Sequence, residues 1–361
     1  MALKEFEFGF GHGSQKVSLP EEHILDVLEG NPTPACDVKE ATLECMRHPI
    51  GSKPLQEIVS KGDKVCIVCA DVTRIWNHSD QFVIHVVNEL NLAGIPDDDI
   101  SILFAQGTHR EQTPEEDIMV VGEELTKRVK LYQHHCMNKD ELVHVGDTSR
   151  GTPVWINKHA VEADKVIVID GITTHLFAGY GGGRKLILPG VAGDDTIQIN
   201  HCHALGEKFG SGINPKTRST LLTDNPVSDA MQEASDMIKP CFLVHSIINS
   251  EGKICAMVGG DPYKAWLEGT KIVYRIQKVP FKAKCDVAFA CAGGYPKDVS
   301  LYQGCKCYDP SDVVTKEGGI IIAIMEASDI YEPPAYMGSF KYDTEKKWKK
   351  PCATISPSPS S

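Results

Sequence analysis

Polar residues that could do chemistry gather in short clusters, most of them directly behind apolar runs. Asp71-Val72-Thr73-Arg74 follows Val65–Ala70, and Gly107-Thr108-His109-Arg110 follows Ile100–Ala105. Gly171 with Thr173-Thr174-His175 follows Val166–Asp170. Gly293-Gly294-Tyr295-Pro296-Lys297 follows Val287–Cys291, with Tyr302-Gln303 and Lys306 close behind. Histidines in such places suit general acid–base work, and the two-pronged guanidinium of Arg74 suits a carboxylate. Each has a plainer reading: a hydrogen-bonded loop imidazole for either histidine, an ion pair or turn cap for Asp71 and Arg74. Two histidines behind glycine-containing strand exits favour the catalytic reading. His78, His85, His134, His135, His144 and His245 lack that placement and read as surface or internally satisfied residues.

Gly179-Tyr180-Gly181-Gly182-Gly183-Arg184-Lys185 looks at first like a phosphate loop. It is not a P-loop, which needs Gly-Lys followed by Ser or Thr, and it does not match G-x-G-x-x-G. A flexible turn is the plain reading; the other is a glycine path whose N–H groups approach an anion. Lys185 could be an electrostatic contact or a nucleophilic amine. His201-Cys202-His203 follows a helix start at Gly193-Asp194-Asp195. On a helix those two imidazoles diverge, so one of them, not both, is the metal-ligand candidate.

The apolar runs that must position these clusters are Val65–Ala70, Ile100–Ala105, Val166–Asp170, Val287–Cys291 and Gly319–Ile324, short and β-branched enough for buried strands. Between them lie helical patterns. Phe82, Val83, Val86, Val87 and Leu90 recur at helical spacing over Ser79–Leu92, with Ser79 as N-cap and Gly94 as stop. Thr113-Pro114, Asn225-Pro226 and Asp261-Pro262 open further helices, the last running towards Val279 before Pro280. Such alternation predicts an α/β protein with largely parallel sheets flanked by helices. The expected division is a cofactor-binding catalytic domain over residues 1–280, a shorter α/β domain over 281–345, and a Lys- then Ser/Pro-rich tail over 346–361 that cannot order itself. Ligands of open α/β sheets lie at the carboxyl ends of the strands. The expected active site is therefore the interdomain cleft.

Composition excludes several classes. The 361 residues carry 49 acidic against 37 basic side chains, a formal charge of −12. That disfavours nucleic acid and anionic lipid, which both reward clustered Lys and Arg. No run approaches the ~20 apolar residues of a membrane helix, and MALKEFEFGF lacks a signal-peptide core. A cytoplasmic protein is expected, and its thirteen cysteines read as reduced thiols. Cys66 and Cys69 sit three apart on an expected strand, so their sulfurs diverge. Cys305 and Cys307 share a face only if that stretch is extended.

Taken together, Asp71-Val-Thr-Arg74, Gly107-Thr-His109-Arg110, the block from His175 through Lys185 to Gly190, His201, and Gly294-Tyr-Pro-Lys-Asp298 with Tyr302-Gln303 and Lys306 resemble the nickel-pincer lactate racemase family. The resemblance runs from about Phe8 to the strand at Gly319–Ile324, and the His175–His201 block is its most specific part. It implies a nickel–pyridinium mononucleotide with two sulfur-bearing arms, covalently attached at Lys185. By the same resemblance His201 is the protein ligand to nickel, and Asp71, Val72, Thr73 and Arg74 line the cofactor. Arg74 and Lys306 would hold the substrate carboxylate, Gln303 and Lys306 would close on the substrate from the second domain, and His109 and His175 would be the acid–base pair. The implied activity is racemisation or epimerisation of a small, lactate-like 2-hydroxy acid by hydride transfer, with cofactor-biosynthesis proteins as partners. Ile75-Trp76 stands where many members carry proline-containing sequence, which bears on which hydroxy acid fits. After Asp329 the chain enters Pro333-Pro334 and the tail instead of further strands and helices, so the second domain is expected to be short. A non-catalytic nickel-cofactor binding or storage protein is the alternative. A zinc hydrolase built on His201 and His203 carries less weight, because no third ligand stands at a known spacing.

Overall fold

The computed structural model describes residues 2–206, 208 and 211–330. They form two compact units, one of residues 32–276 and one of residues 2–31 with 277–330. The later division between them falls between Ile276 and Gln277. Residues 2–31, expected with the larger domain, group instead with the C-terminal stretch. The tail expected over 346–361 lies outside the described residues.

The larger unit is built on a six-stranded sheet: β1 (Val65–Ala70), β2 (Ile100–Ala105), β3 (Lys130–Tyr132), β4 (Lys165–Gly171), β5 (Phe242–Ile248) and β6 (Ile254–Gly260). Its order is β6-β5-β4-β1-β2-β3, parallel throughout except for β6. The chain winds outward from β1 through β2 to β3, then returns to lay β4, β5 and β6 on the other side. The β1/β4 junction is thus a topological switch point, where carboxyl-end loops diverge and leave a crevice. β1 is apolar at every position because both of its faces are covered. Cys66, Val68 and Ala70 join one core, while Val65, Ile67 and Cys69 join the other. The two thiols of that C-x-x-C therefore point to opposite faces.

Helices α1 (Val83–Leu92), α2 (Pro114–Val121), α3 (Asp194–Cys202), α4 (Pro226–Ile238) and α5 (Lys264–Gln277) flank the sheet. Val83, Val86, Val87 and Leu90 of α1 are fully buried in the core shared with Ile67 and Cys69. Thr113 closes a full capping box with Glu116 at the start of α2, and Asn225 caps α4 through the Ser228 N–H. Ser79 does not cap α1. Its hydroxyl donates to the Val120 carbonyl at 2.8 Å, and a short 3-10 turn over Ser79–Gln81 precedes the helix.

The smaller unit holds an antiparallel hairpin, Leu3–Phe10 with Gly13–Pro20, and a parallel pair, Cys285–Cys291 with Thr315–Ile324. The buried Asp298 carboxylate joins them, accepting from the Gly11 N–H at 2.8 Å and the Glu326 N–H at 3.1 Å. Cys305–Cys307 is a 3-10 turn, so the extended geometry that would put both sulfurs on one face is not present.

Candidate functional site

At the switch point Asp71, Thr73, Arg74 and His109 are drawn together. Asp71 directly follows β1 and is buried, and its carboxylate lies 2.6 Å from His109 Nδ1. The Thr73 hydroxyl donates to the other carboxylate oxygen at 2.7 Å and in turn accepts from Arg74 Nη1 at 2.6 Å. Val72 contributes backbone, its N–H donating to Gln112 Oε1 at 2.5 Å. Burial works to raise the Asp71 pKa. The His109 ring, through its hydrogen bond and through its charge whenever it is protonated, together with Arg74 and Thr73, outweighs it and holds the carboxyl below its usual range. Asp71 is therefore ionised, and His109 Nδ1 carries the proton that points at it.

Across the junction, Asp170 near the end of β4 accepts from the Gly171 N–H at 2.7 Å and from Asn77 Nδ2 at 3.1 Å. Burial pushes this carboxyl up to about 6, against the pull of Arg74 and of those two donors. Four residues beyond β4, His175 lies on a two-residue strand, Thr174–His175, paired with Gly179–Tyr180. Its Nδ1 accepts the backbone N–H groups of Phe177 at 3.2 Å and Ala178 at 3.1 Å.

The glycine-rich stretch is a braced turn, not a flexible one. Gly181 N–H donates to Thr173 O at 2.8 Å, and Gly181 O accepts from Trp266 Nε1 at 2.8 Å. Gly183 N–H donates to His245 Nε2 at 2.7 Å. Two of the amides that could have met an anion are thus spent on protein acceptors. At Gly183 (φ +57°) a Cβ would stand 2.8 Å from Trp266 Cδ1, so close packing against the indole requires glycine there. Arg184 is buried with its guanidinium 3.9 Å from the Trp266 ring centroid, and it donates to Ser228 Oγ at 2.6 Å. Burial pushes that guanidinium down to about 10.

Lys185 follows in the same turn. Its carbonyl accepts from Gly190 N–H at 2.9 Å, and Gly190 O accepts from Gly107 N–H at 2.8 Å, two residues before His109. The His109 loop and the Lys185 turn are thereby tied together. His201, in the last turn of α3, donates from Nδ1 to Ile197 O at 2.9 Å, which leaves the Nε2 lone pair for a metal. Burial, and then the nearby Lys185 charge, push its pKa down to about 4, so the ring is neutral at pH 7. His203 turns elsewhere, with Nε2 3.1 Å from Thr152 Oγ1. Among the described residues no three His, Cys, Asp or Glu side chains are grouped to hold a metal. A zinc centre on His201 and His203 therefore lacks its third ligand there. One neutral histidine beside a lysine fits a group that brings its own remaining donors.

In the smaller unit Lys306 Nζ donates to Gln303 Oε1, so these two expected residues are neighbours. Reading the sequence took His245 as a surface or internally satisfied residue without seeing that it braces Gly183, and it gave no part to Trp266 or Asp170. A polar residue inside the apolar run Phe242–Ile248 is a weak signal for the first; nothing marks the second.

A model described as the lactate racemase N-terminal domain matches residues 10–212, and one described as the lactate racemase C-terminal domain matches residues 281–350. The chain belongs to the lactate racemase family. A lactate racemase of Lactiplantibacillus plantarum is 32% identical over 295 residues, covering 81% of this chain and 66% of that protein. The chain thus spans just under two thirds of that relative's length. A lactate racemase of Thermoanaerobacterium thermosaccharolyticum is 29% identical over 350 residues, 94% of this chain and 78% of that protein. The solved lactate racemase apoprotein from the same organism superposes with a TM-score of 0.83, covering 97% of this chain and 81% of that one. The mixed α/β class with a mostly parallel sheet agrees with that likeness. No helix among the described residues is long and apolar enough to cross a membrane.

Proposed function

We propose that the chain is a racemase or epimerase of a small, lactate-like 2-hydroxy acid that works with a nickel-pincer nucleotide attached at Lys185. The observation that carries the reading is a buried His201 within electrostatic reach of Lys185, its Nδ1–H fixed to Ile197 O so that Nε2 is the ligand atom. Bound there, such a nucleotide would supply an electron-poor carbon able to take hydride from the substrate's α-carbon. That chemistry suits the problem, because the α C–H beside an ionised carboxylate is a very poor proton donor.

The residues of the chain supply geometry and proton handling. Arg74, anchored to Thr73, offers its guanidinium to the substrate carboxylate, and Gln303 and Lys306 are the further substrate contacts of this reading. His109 removes the hydroxyl proton at Nε2, and the Asp71 carboxylate stabilises the imidazolium that forms. His175 is the second imidazole of the acid–base pair. A device like the Asp71–His109 couple is of no use to a storage protein, so the catalytic reading is preferred.

The test is to load the protein with cofactor and incubate it with single-enantiomer 2-hydroxy acids, following optical rotation and intact mass. Lys185→Ala is expected to lose the covalent adduct and His201→Ala to lose nickel. Normal nickel content and activity in Lys185→Ala would overturn the attachment, and no isomerisation of any candidate acid would overturn the activity.

A further inference from the structure

The two histidines at this site are held by opposite hydrogen-bond patterns. His109 turns Nδ1 towards the ionised Asp71 carboxylate at 2.6 Å, so Nδ1 carries a proton and, whenever the ring holds a single proton, Nε2 keeps its lone pair. His175 turns Nδ1 towards two backbone donors, the N–H groups of Phe177 at 3.2 Å and Ala178 at 3.1 Å. A nitrogen that accepts two N–H groups carries no proton, and a neutral imidazole carries only one in total. The His175 proton is therefore on Nε2. At the same ring position one histidine accepts and the other donates.

We propose that the two imidazoles are not interchangeable: His109 is the resting base, and His175 is a neutral hydrogen-bond donor to the substrate oxygen. The proposal rests on the reading of the site as a hydroxy-acid isomerase. At His109 the substrate O–H bond breaks and its proton forms the Nε2–H bond. The electron pair left on oxygen would become the second bond of the carbonyl, and the α hydrogen would depart with its own pair, which the bound nucleotide would supply the means to accept. The imidazolium faces Asp71, whose charge balances it. At His175 the Nε2–H polarises a carbonyl oxygen that lies against it. It becomes a base only after its proton moves from Nε2 to Nδ1, which requires leaving both the Phe177 and Ala178 amides. The enantiomer whose hydroxyl lies against His109 meets a base at once, and the other meets a donor.

Two measurements test this. Protein labelled with 15N-histidine, observed at pH 8 by two-bond proton–nitrogen correlation, reports the tautomer of each ring, and His109→Gln and His175→Gln provide the assignments. The expected result is a protonated Nδ1 in His109 and a protonated Nε2 in His175; one tautomer for both rings, or a proton on His175 Nδ1, overturns the proposal. In cofactor-loaded protein, glutamine at either position can donate a hydrogen bond and cannot take a proton. His175→Gln is expected to convert one enantiomer to its 2-keto acid in a single turnover at least about a hundredfold faster than His109→Gln converts either, the lower end of the usual span for a lost base. Equal rates in the two variants overturn the division of labour. If loaded wild-type protein isomerises no hydroxy acid, the functional reading falls while the spectra still decide the tautomers.

Discussion

Lowering the pH from 7.5 to 5 is expected to weaken the fold through two buried imidazoles that have no catalytic part. His134 donates from Nε2 to Ala192 O at 2.9 Å and accepts from Asn157 Nδ2 at 3.2 Å. His245 Nε2 accepts the Gly183 N–H at 2.7 Å, while its Nδ1 lies 3.1 Å from the Asp170 N–H and 2.8 Å from Val244 O, so each ring nitrogen faces a backbone N–H. A second proton on either ring would face an N–H donor and destroy that bond. Burial pushes both pKa values down to about 4. In the unfolded chain each ring takes up a proton below about 6.5, so stability is intact above that value and falls until the folded rings also titrate near 4. At pH 5 this costs roughly 2 kcal/mol per ring. Asp170 works the other way. Its carboxyl, raised to about 6, is held ionised at an energetic cost at pH 7.5, and about 1.4 kcal/mol of that cost is relieved by pH 5. The net loss is about 2.5 kcal/mol, a large share of the 5–15 kcal/mol typical of folded domains. His201 shifts in the same direction and adds to the loss, while Asp80 and Asp229, raised by burial, offset part of it. Urea unfolding at both pH values and constant ionic strength measures it. His134→Gln and His245→Gln should each remove about 2 kcal/mol of the pH dependence. A wild-type stability that changes by less than about 1 kcal/mol over this range, or variants that keep the full dependence, would refute the reasoning.

Asp71→Asn keeps the shape but removes the charge opposite the imidazolium. The cofactor-loaded variant should retain its nickel while kcat drops about 10²–10⁴-fold, as when the orienting carboxylate of an Asp–His couple is lost; nickel analysis and steady-state rates check both halves. Gly183→Ala places a Cβ 2.8 Å from Trp266 Cδ1 at φ +57°, and should cost about 1–3 kcal/mol of stability in urea unfolding.

What the sequence disclosed follows from how far apart the determinants lie. Val65–Ala70 and Ile100–Ala105 are strands with the bounds their apolar runs suggest, because a strand covered on both faces leaves an unbroken apolar signal. The capping box at Thr113 is equally local and equally visible. Ser79 misled for a tertiary reason: its hydroxyl goes to Val120 O, on a helix some forty residues away. The hairpin at Leu3–Phe10 and Gly13–Pro20 escaped notice because its mostly exposed strands carry no long apolar run. In the site, Asp71, His109, His175 and Lys185 could be singled out because each sits in a strand-exit or glycine cluster of its own. The residues that brace them could not. Trp266 reaches Gly181 from 85 positions away and His245 reaches Gly183 from 62. Even the tautomers of His109 and His175 depend on whether Nδ1 meets a carboxylate or two amides, and no spacing in the chain encodes that choice. Residue types and their clustering point to the chemistry, whereas the direction in which each proton can move is set by folded contacts around the β1/β4 switch point.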